Sequence, residues 1–205
     1  LTTILDYIRF ATSQFNQAEL FFGHGTQSAH DEAVALVLHT LHQPYDLSKE
    51  YLSAALTVRE RQTVVEKMQQ RITTRKPLAY LTNAAVFAGL DFYVDERVLV
   101  PRSPIAELIE QQFMPWVEAE HVHRILDLCT GSGCIALACA NAFPEAQVDA
   151  VELSPDALAV AEINIERHGL QNRVVAIESD LFAQVNQRYD LIVSNPPYVN
   201  QEELR

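Results

Sequence analysis

The sequence predicts an α/β fold made of a small N-terminal helical domain, a linking β-hairpin and a mainly parallel sheet with helices on its faces. Up to about residue 75, apolar residues recur at helical spacing. From Leu78 to Pro101 the period changes to that of strands. Beyond residue 120, strand-like runs alternate with helical stretches, the pattern that places strands in parallel and helices over them. The expected domains are residues 1–77, 78–102 and 103–205.

The first helix follows Thr2 and Thr3, either of which can cap it, and carries Ile4, Leu5, Ile8 and Phe15 at helical spacing. A second helix fits Asp31 to His42, with Val34, Val37, Leu38 and Leu41 on one face and Pro44 as its stop. The third opens at a capping box, Thr57-x-x-Glu60, and turns Val58, Val65, Met68 and Ile72 inward. In the hairpin, Phe87, Gly89, Phe92 and Val94 form one strand, Val98 and Val100 the other, with Asp95-Glu96 at the turn. Ser103-Pro104 starts a helix whose buried face is Ile105, Leu108, Ile109, Phe113 and Trp116. Strands then fit Arg124 to Cys129, Gln147 to Leu153, Arg173 to Glu178 and Tyr189 to Ser194. Helices fit Cys134 to Ala142 and Pro155 to His168, the latter capped by Ser154 and ended by Gly169.

Composition narrows the class. A chain of 205 residues that is 48% hydrophobic can bury a core, and no apolar run approaches the roughly 20 residues that span a bilayer. A cytoplasmic location is the default expectation. Cys129, Cys134 and Cys139 match no zinc or disulfide spacing and read as reduced packing residues, and no His/Cys cluster suggests a metal. The formal charge of -12 repels phosphate backbones and attracts basic proteins. Arg71, Arg75 and Lys76 form a basic cluster, read as a solvated face that can also touch RNA.

Chemistry concentrates where strands end. Asp127-Leu-Cys-Thr-Gly-Ser-Gly133 closes the first parallel strand and opens a helix; its glycines permit a sharp turn, and the helix start offers free N–H groups to a polar or anionic ligand. Gly131-x-Gly133-x-x-Ala136 also satisfies a dinucleotide fingerprint, so the loop alone leaves the ligand open. Glu152, at the second strand end, is placed to accept both ribose hydroxyls of a nucleoside, which suits adenosylmethionine and NAD alike. Asp180 can accept from an adenine amine, with Leu181 and Phe182 against its ring.

Asn195-Pro196-Pro197-Tyr198 follows the fourth strand. Two prolines fix φ and remove two donors, leaving a stiff corner of acceptors. The carbonyls of the Asn195 side chain and of Pro196 can each take one hydrogen of a substrate NH₂, while Tyr198 stacks on its plane. An amide nitrogen, its lone pair delocalised, needs that orientation to attack a methyl carbon, and the acceptors stabilise the positive charge that develops.

With these residues in view, the chain resembles the HemK-like protein-glutamine methyltransferases, most closely the branch acting on large-subunit ribosomal protein L-three. The resemblance spans essentially the whole chain and rests on Phe22-Gly-His-Gly-Thr26, Pro77-Leu-Ala-Tyr-Leu81, Phe87-Ala-Gly-Leu-Asp-Phe92, Val98-Leu-Val-Pro-Arg102 and Asn195-Pro-Pro-Tyr198 together. It implies a class I methyltransferase, Rossmann-like sheet whose C-terminal strands are missing from this chain. It also implies S-adenosylmethionine bound by Cys129, Thr130, Gly131, Ser132, Gly133, Glu152, Leu181 and Asn195, with the glutamine held by Asn195 to Tyr198 and the protein substrate recognised by the helical domain. Cys129 stands where the usual loop has glycine, and an ordinary β conformation is expected there. Release-factor-modifying relatives usually read Pro-Arg-Pro followed by acids, whereas this chain reads Pro101-Arg-Ser-Pro-Ile-Ala-Glu107, which favours a ribosomal substrate. The alternatives are a release-factor glutamine, an adenine amine of nucleic acid gripped by a similar clamp, and a non-catalytic ribosome-associated module. The acidity and the lack of an extended basic groove weigh against nucleic acid.

Overall fold

A computed structural model describes residues 1–23 and 25–197. The chain forms two compact units, Leu1–Asn83 and Ala84–Arg205. His24 and Tyr198 lie outside the described residues.

In the first unit, α1 (Ile4–Gln17) begins at a capping box: the Thr3 hydroxyl accepts from the Asp6 N–H at 3.1 Å and the Asp6 carboxylate accepts from the Thr3 N–H at 3.1 Å. Its buried stripe is Ile4, Tyr7, Ile8, Ala11 and Phe15, whereas Leu5 points outward. The second helix, α2 (Ala29–Thr40), starts before Asp31 because Ser28 is the cap, accepting from the Asp31 N–H at 3.1 Å. It ends before His42, whose φ of 55° turns the chain into the left-handed region ahead of Pro44. The third, α3 (Val58–Thr74), has the expected Thr57–Glu60 capping box, but its buried line is Val64, Met68 and Arg71. Val58, expected inside, is exposed; at 100° per residue it lies about 120° around the helix from Val64. Val65 and Ile72 are partly buried against the core.

Arg71 corrects the solvated-face reading of the basic cluster. It is 2% exposed, ion-paired to the equally buried Glu32, and donates to the Phe21 carbonyl at 3.1 Å. Arg75 donates to the carbonyls of Ala18 and Glu19 at 3.0 and 3.3 Å. A short helix, α4 (Leu78–Thr82), occupies the start of the segment expected to be hairpin and buries Leu78, Ala79 and Leu81.

The second unit opens with β1 (Ala85–Phe87) and β2 (Leu90–Phe92), antiparallel with Phe87 opposite Leu90. The hairpin turn is therefore Ala88-Gly89, both at positive φ (46° and 73°), the two-residue geometry that matches strand twist. The Asp95-Glu96 expectation is displaced. A turn does form there, with Val98 N–H donating to the Asp95 carbonyl at 3.1 Å, but it joins irregular chain in which Val94, Val98 and Val100 are buried. After α5 (Ile105–Glu110), Gln112 and Phe113 take left-handed φ values of 51° and 56°, which breaks the helical register. Trp116 consequently lies off the expected face, 76% exposed.

Four parallel strands, β3 (Arg124–Leu128), β4 (Gln147–Glu152), β5 (Val174–Glu178) and β6 (Leu191–Ser194), lie in the order β5-β4-β3-β6. They alternate with α6 (Cys134–Ala142) and α7 (Pro155–Arg167), then the long return to β6. α6 is buried along Cys134 to Ala140, so its cysteines are packing residues; all three cysteines are free thiols. Ser154 caps α7 and Gly169, at φ 66°, ends it.

Candidate active site

Strand order places the candidate residues before any side chain is considered. Leu128 at the end of β3 lies opposite Val151 of β4 on one side and Ser194 of β6 on the other. The segments that follow these strands therefore leave the sheet side by side at its carboxyl edge. From β3 the chain runs outward to β4 and β5, then returns to β6 on the opposite flank, so the topological switch point lies between β3 and β6. Ligands of open α/β sheets bind at such a crevice. The glycine loop borders it from one strand and Asn195 from the other.

The loop is tied from within. Cys129 has φ 62°, not the extended conformation expected, because the chain must double back at once: Thr130 N–H donates to the Val151 carbonyl at 2.9 Å and the Thr130 hydroxyl donates to the Asp127 carboxylate. The same Asp127 oxygen accepts from Ala136 N–H at 3.0 Å, joining the loop to the first turn of α6. Gly131 and Gly133 both have positive φ, for different reasons. A Cβ on Gly133 would meet Leu137 Cδ1 at 3.0 Å and Ala161 Cβ at 3.2 Å, so this glycine allows close helix packing. A Cβ on Gly131 would meet nothing within 4 Å, which leaves an open approach to the backbone there. Thr130, Ser132 and Gly133 are buried, while Cys129 and Gly131 are half-buried.

Glu152, half-buried, braces the loop from β4: Oε2 accepts from Gly131 N–H at 2.9 Å, and Oε1 from the N–H groups of Leu153 and Ser154 at 3.0 and 3.1 Å. A carboxylate has about four lone-pair positions, so acceptor capacity remains for a ligand hydroxyl. The turn after β5 is held beside it, since Ser179 N–H donates to the Glu152 carbonyl at 3.0 Å. Ser179 is buried and donates to the Leu181 carbonyl at 2.9 Å, and Asp180, Leu181 and Phe182 stand exposed on that turn. On the β6 side, the Ser194 hydroxyl donates to the Leu128 carbonyl at 2.9 Å. Asn195 is half-buried, Pro196 and Pro197 are exposed, and Tyr198 lies outside the described residues. The fold thus gathers the loop 129–133, Glu152, the 180–182 turn and Asn195 on one edge.

Electrostatically, Asp127 is the outlier. Complete burial pushes its carboxyl up to about 7, against the lowering effect of the Thr130 and Ala136 hydrogen bonds, and Oδ1 is buried without a protein partner. Burial also raises Cys129, takes Cys134 to about 12 and raises Cys139 further, so none is a thiolate nucleophile at neutral pH. Asn164 of α7, which helical periodicity hides inside the stripe of Ala157, Leu158, Ala161 and Ile165, reaches the loop through Ser132. Its signal in the sequence is a polar residue at a core position.

The parallel sheet, the glycine loop at its switch point and the Asn-Pro-Pro corner beside it define a class I methyltransferase. The comparisons agree: residues 110–205 match the methyltransferase small domain family. The ribosomal protein uL3 glutamine methyltransferase of Neisseria gonorrhoeae is 54% identical over 205 residues, covering all of this chain and 69% of that protein. That of Neisseria meningitidis is 53% identical, covering all of this chain and 68% of its own length. A solved structure, the T. thermophilus 16S rRNA N2 G1207 methyltransferase in complex with AdoMet and guanosine, is similar over 58% of this chain and 33% of that one, with 25% identity and a TM-score of 0.47. The chain belongs to the family of ribosomal protein uL3 glutamine methyltransferases.

Proposed function

We propose that the chain transfers a methyl group from S-adenosylmethionine to the side-chain amide nitrogen of a glutamine in ribosomal protein uL3. The observation that carries this reading is the placement of Asn195 and its two prolines across the β3/β6 switch point from the glycine loop. The loop fits a nucleoside-linked donor: Gly131 leaves an open approach, Glu152 retains acceptor capacity, and the 180–182 turn offers an acid and two apolar side chains. When bound, the donor supplies an electrophilic methyl carbon on a sulfonium.

The chain's own groups do the rest. Residues 129–133, Glu152, Asp180, Leu181 and Asn195 hold the donor. The carbonyls of Asn195 and Pro196 take the two amide hydrogens and Tyr198 covers the amide plane. Held in this way, the amide nitrogen would present its lone pair to the methyl carbon that the bound donor would supply, and the carbonyls of Asn195 and Pro196 would stabilise the positive charge on nitrogen until a proton passes to water. No strong base is needed, because the proton leaves after the charge has formed. Holding both partners in line contributes up to roughly 7–11 kcal/mol of barrier lowering.

Under the same reading, residues 1–77 recognise the protein, 78–102 link, 103–205 bind the donor, and the enzyme works in the cytoplasm. Among the described residues no helix is long and apolar enough to cross a membrane. A contact with ribosomal RNA through the 71–76 cluster draws no support from Arg71 and Arg75, whose guanidinium groups are engaged within the first unit. The test is Asn195→Ala assayed with labelled donor and uL3. We expect kcat to fall about 10²–10³-fold, the scale of one lost transition-state hydrogen-bonding group, with donor affinity changed only a few-fold. Unaltered transfer rules out the amide clamp.

A further inference from the structure

We propose that Asn164 is a positioning residue for donor binding, fixing the glycine loop by a hydrogen bond from its side-chain amide to the Ser132 carbonyl. The inference rests on the reading of residues 129–133 as the donor loop. Asn164 is fully buried on α7, and three of its four hydrogen-bonding positions are used. Nδ2 donates to the Ser132 carbonyl at 2.8 Å and to the Tyr93 carbonyl at 2.9 Å, and Oδ1 accepts from Tyr93 N–H at 2.7 Å. One carboxamide thus pairs with Tyr93 as a neighbouring strand would, and spends its remaining donor on the loop.

The effect on the loop follows from where that donor lands. The peptide joining Ser132 and Gly133 is held at both ends, its carbonyl by Asn164 and its N–H by the Thr130 carbonyl at 2.9 Å. The peptide joining Thr130 and Gly131 is held likewise, its carbonyl by Gly133 N–H and its N–H by Glu152. Glu152 from β4 and Asn164 from α7 therefore set these two peptide planes of a loop whose two glycines would otherwise let its backbone reorient easily. Preorganising it spares the donor the cost of ordering it. Without Asn164, the Ser132 carbonyl is a buried acceptor with no partner, and the peptide turns to find one.

His168 supplies the control. Its ring nitrogen bonds the Asp91 carbonyl at 2.8 Å and its ring packs on Phe92, so it pins the end of β2 directly before the Tyr93 held by Asn164, with no side-chain hydrogen bond to the loop. In the full chain, S-adenosylmethionine binding is measured by calorimetry and its KM by methyl transfer, for the wild type, Asn164→Ala and His168→Ala, with thermal melts to verify folding. We expect Asn164→Ala to weaken binding and raise KM by roughly 10–100-fold, the scale seen when groups supporting a ligand shell are removed, while kcat at saturating donor changes less than about threefold. His168→Ala should bind within about twofold of wild type. If Asn164→Ala does not fold, Asn164→Asp, which keeps an acceptor for the Tyr93 N–H but loses the donors to both the Ser132 and the Tyr93 carbonyls, is read by the same measure against His168→Ala. Unchanged donor affinity in a folded Asn164 variant overturns the proposal and leaves the site reading intact. Equal weakening by the His168 and Asn164 variants also overturns it, since docking of the segment would then explain both. A wild-type chain that binds no donor overturns the site reading itself.

Discussion

At Asp127 solvation and position pull in opposite directions. Its carboxylate ties the start of the glycine loop to α6 through Thr130 and Ala136, yet it is fully buried and one oxygen has no partner. The folded protein therefore holds the proton more tightly than the unfolded chain, with a carboxyl pushed up from 3.8 to about 7. A raised carboxyl pKa contributes stability that is fully present below the unfolded value and is lost as pH rises through the folded one. Between about pH 4 and 7 the wild type should lose up to about 4 kcal/mol that an Asp127→Asn variant does not lose. Urea unfolding of both proteins across that window measures it; parallel stability curves contradict the assignment. The amide variant carries a pH-independent cost of its own, so the slope is the readout. Cys129, two residues on, stores strain of another kind, since a side chain at φ 62° costs on the order of 1–3 kcal/mol that glycine would not. The strain persists because Thr130 is anchored to Val151 and Asp127 at once.

Among the elements, α3 shows how a charged residue can belong to a core. Arg71 occupies the buried line of the helix, pairs with Glu32 of α2, and through Nη2 holds the Phe21 carbonyl; Thr26 donates to the other Glu32 oxygen at 2.8 Å. Removing one partner of such a pair leaves a buried charge uncompensated. Arg71→Met should thus cost about 3–5 kcal/mol, and adding Glu32→Gln should restore much of it. Denaturant titration of the single and double variants decides; additive losses would mean that the two residues do not act as a pair. Elements of this chain were legible where their signal is local. The Thr57–Glu60 capping box, Ser154 before Pro155, and the span of α6 all depend on neighbours within a turn or two. What needed tertiary information was missed: the hairpin turn moved to Ala88-Gly89, Trp116 came to the surface after the left-handed break at Gln112-Phe113, and Arg71 went inside. Periodicity assigns a face by hydropathy and has no means of knowing that a cation will find a buried carboxylate. The site divides in the same way. Gly131, Glu152 and Asn195 sit at strand ends that the pattern locates, whereas the conformation of Cys129 and the reach of Asn164 depend on hydrogen bonds across 21 residues in the first case, Thr130 to Val151, and 32 in the second.

For the molecule as a whole, the net charge bears on the proposed encounter with its substrate. The net charge is -12 over 205 residues, while the proposed partner is a basic ribosomal protein that must present one glutamine to a narrow corner of the sheet. The two reactants differ in how they feel that field. A polybasic protein is attracted over distances comparable to the Debye length, about 10 Å at 0.1 M salt, and loses much of that steering as salt is added. The donor carries little net charge and binds by contacts to loop, acid and turn, which salt screens weakly. Raising salt from about 50 to 300 mM should therefore lower kcat/KM for uL3 roughly tenfold or more, chiefly through slower association. The affinity for S-adenosylmethionine should move less than about twofold over the same range. Steady-state kinetics at several ionic strengths, with donor binding measured in parallel, separates the two. A salt-independent kcat/KM for the protein substrate would show that recognition depends on surface shape and apolar contact, with the acidic charge serving solubility alone.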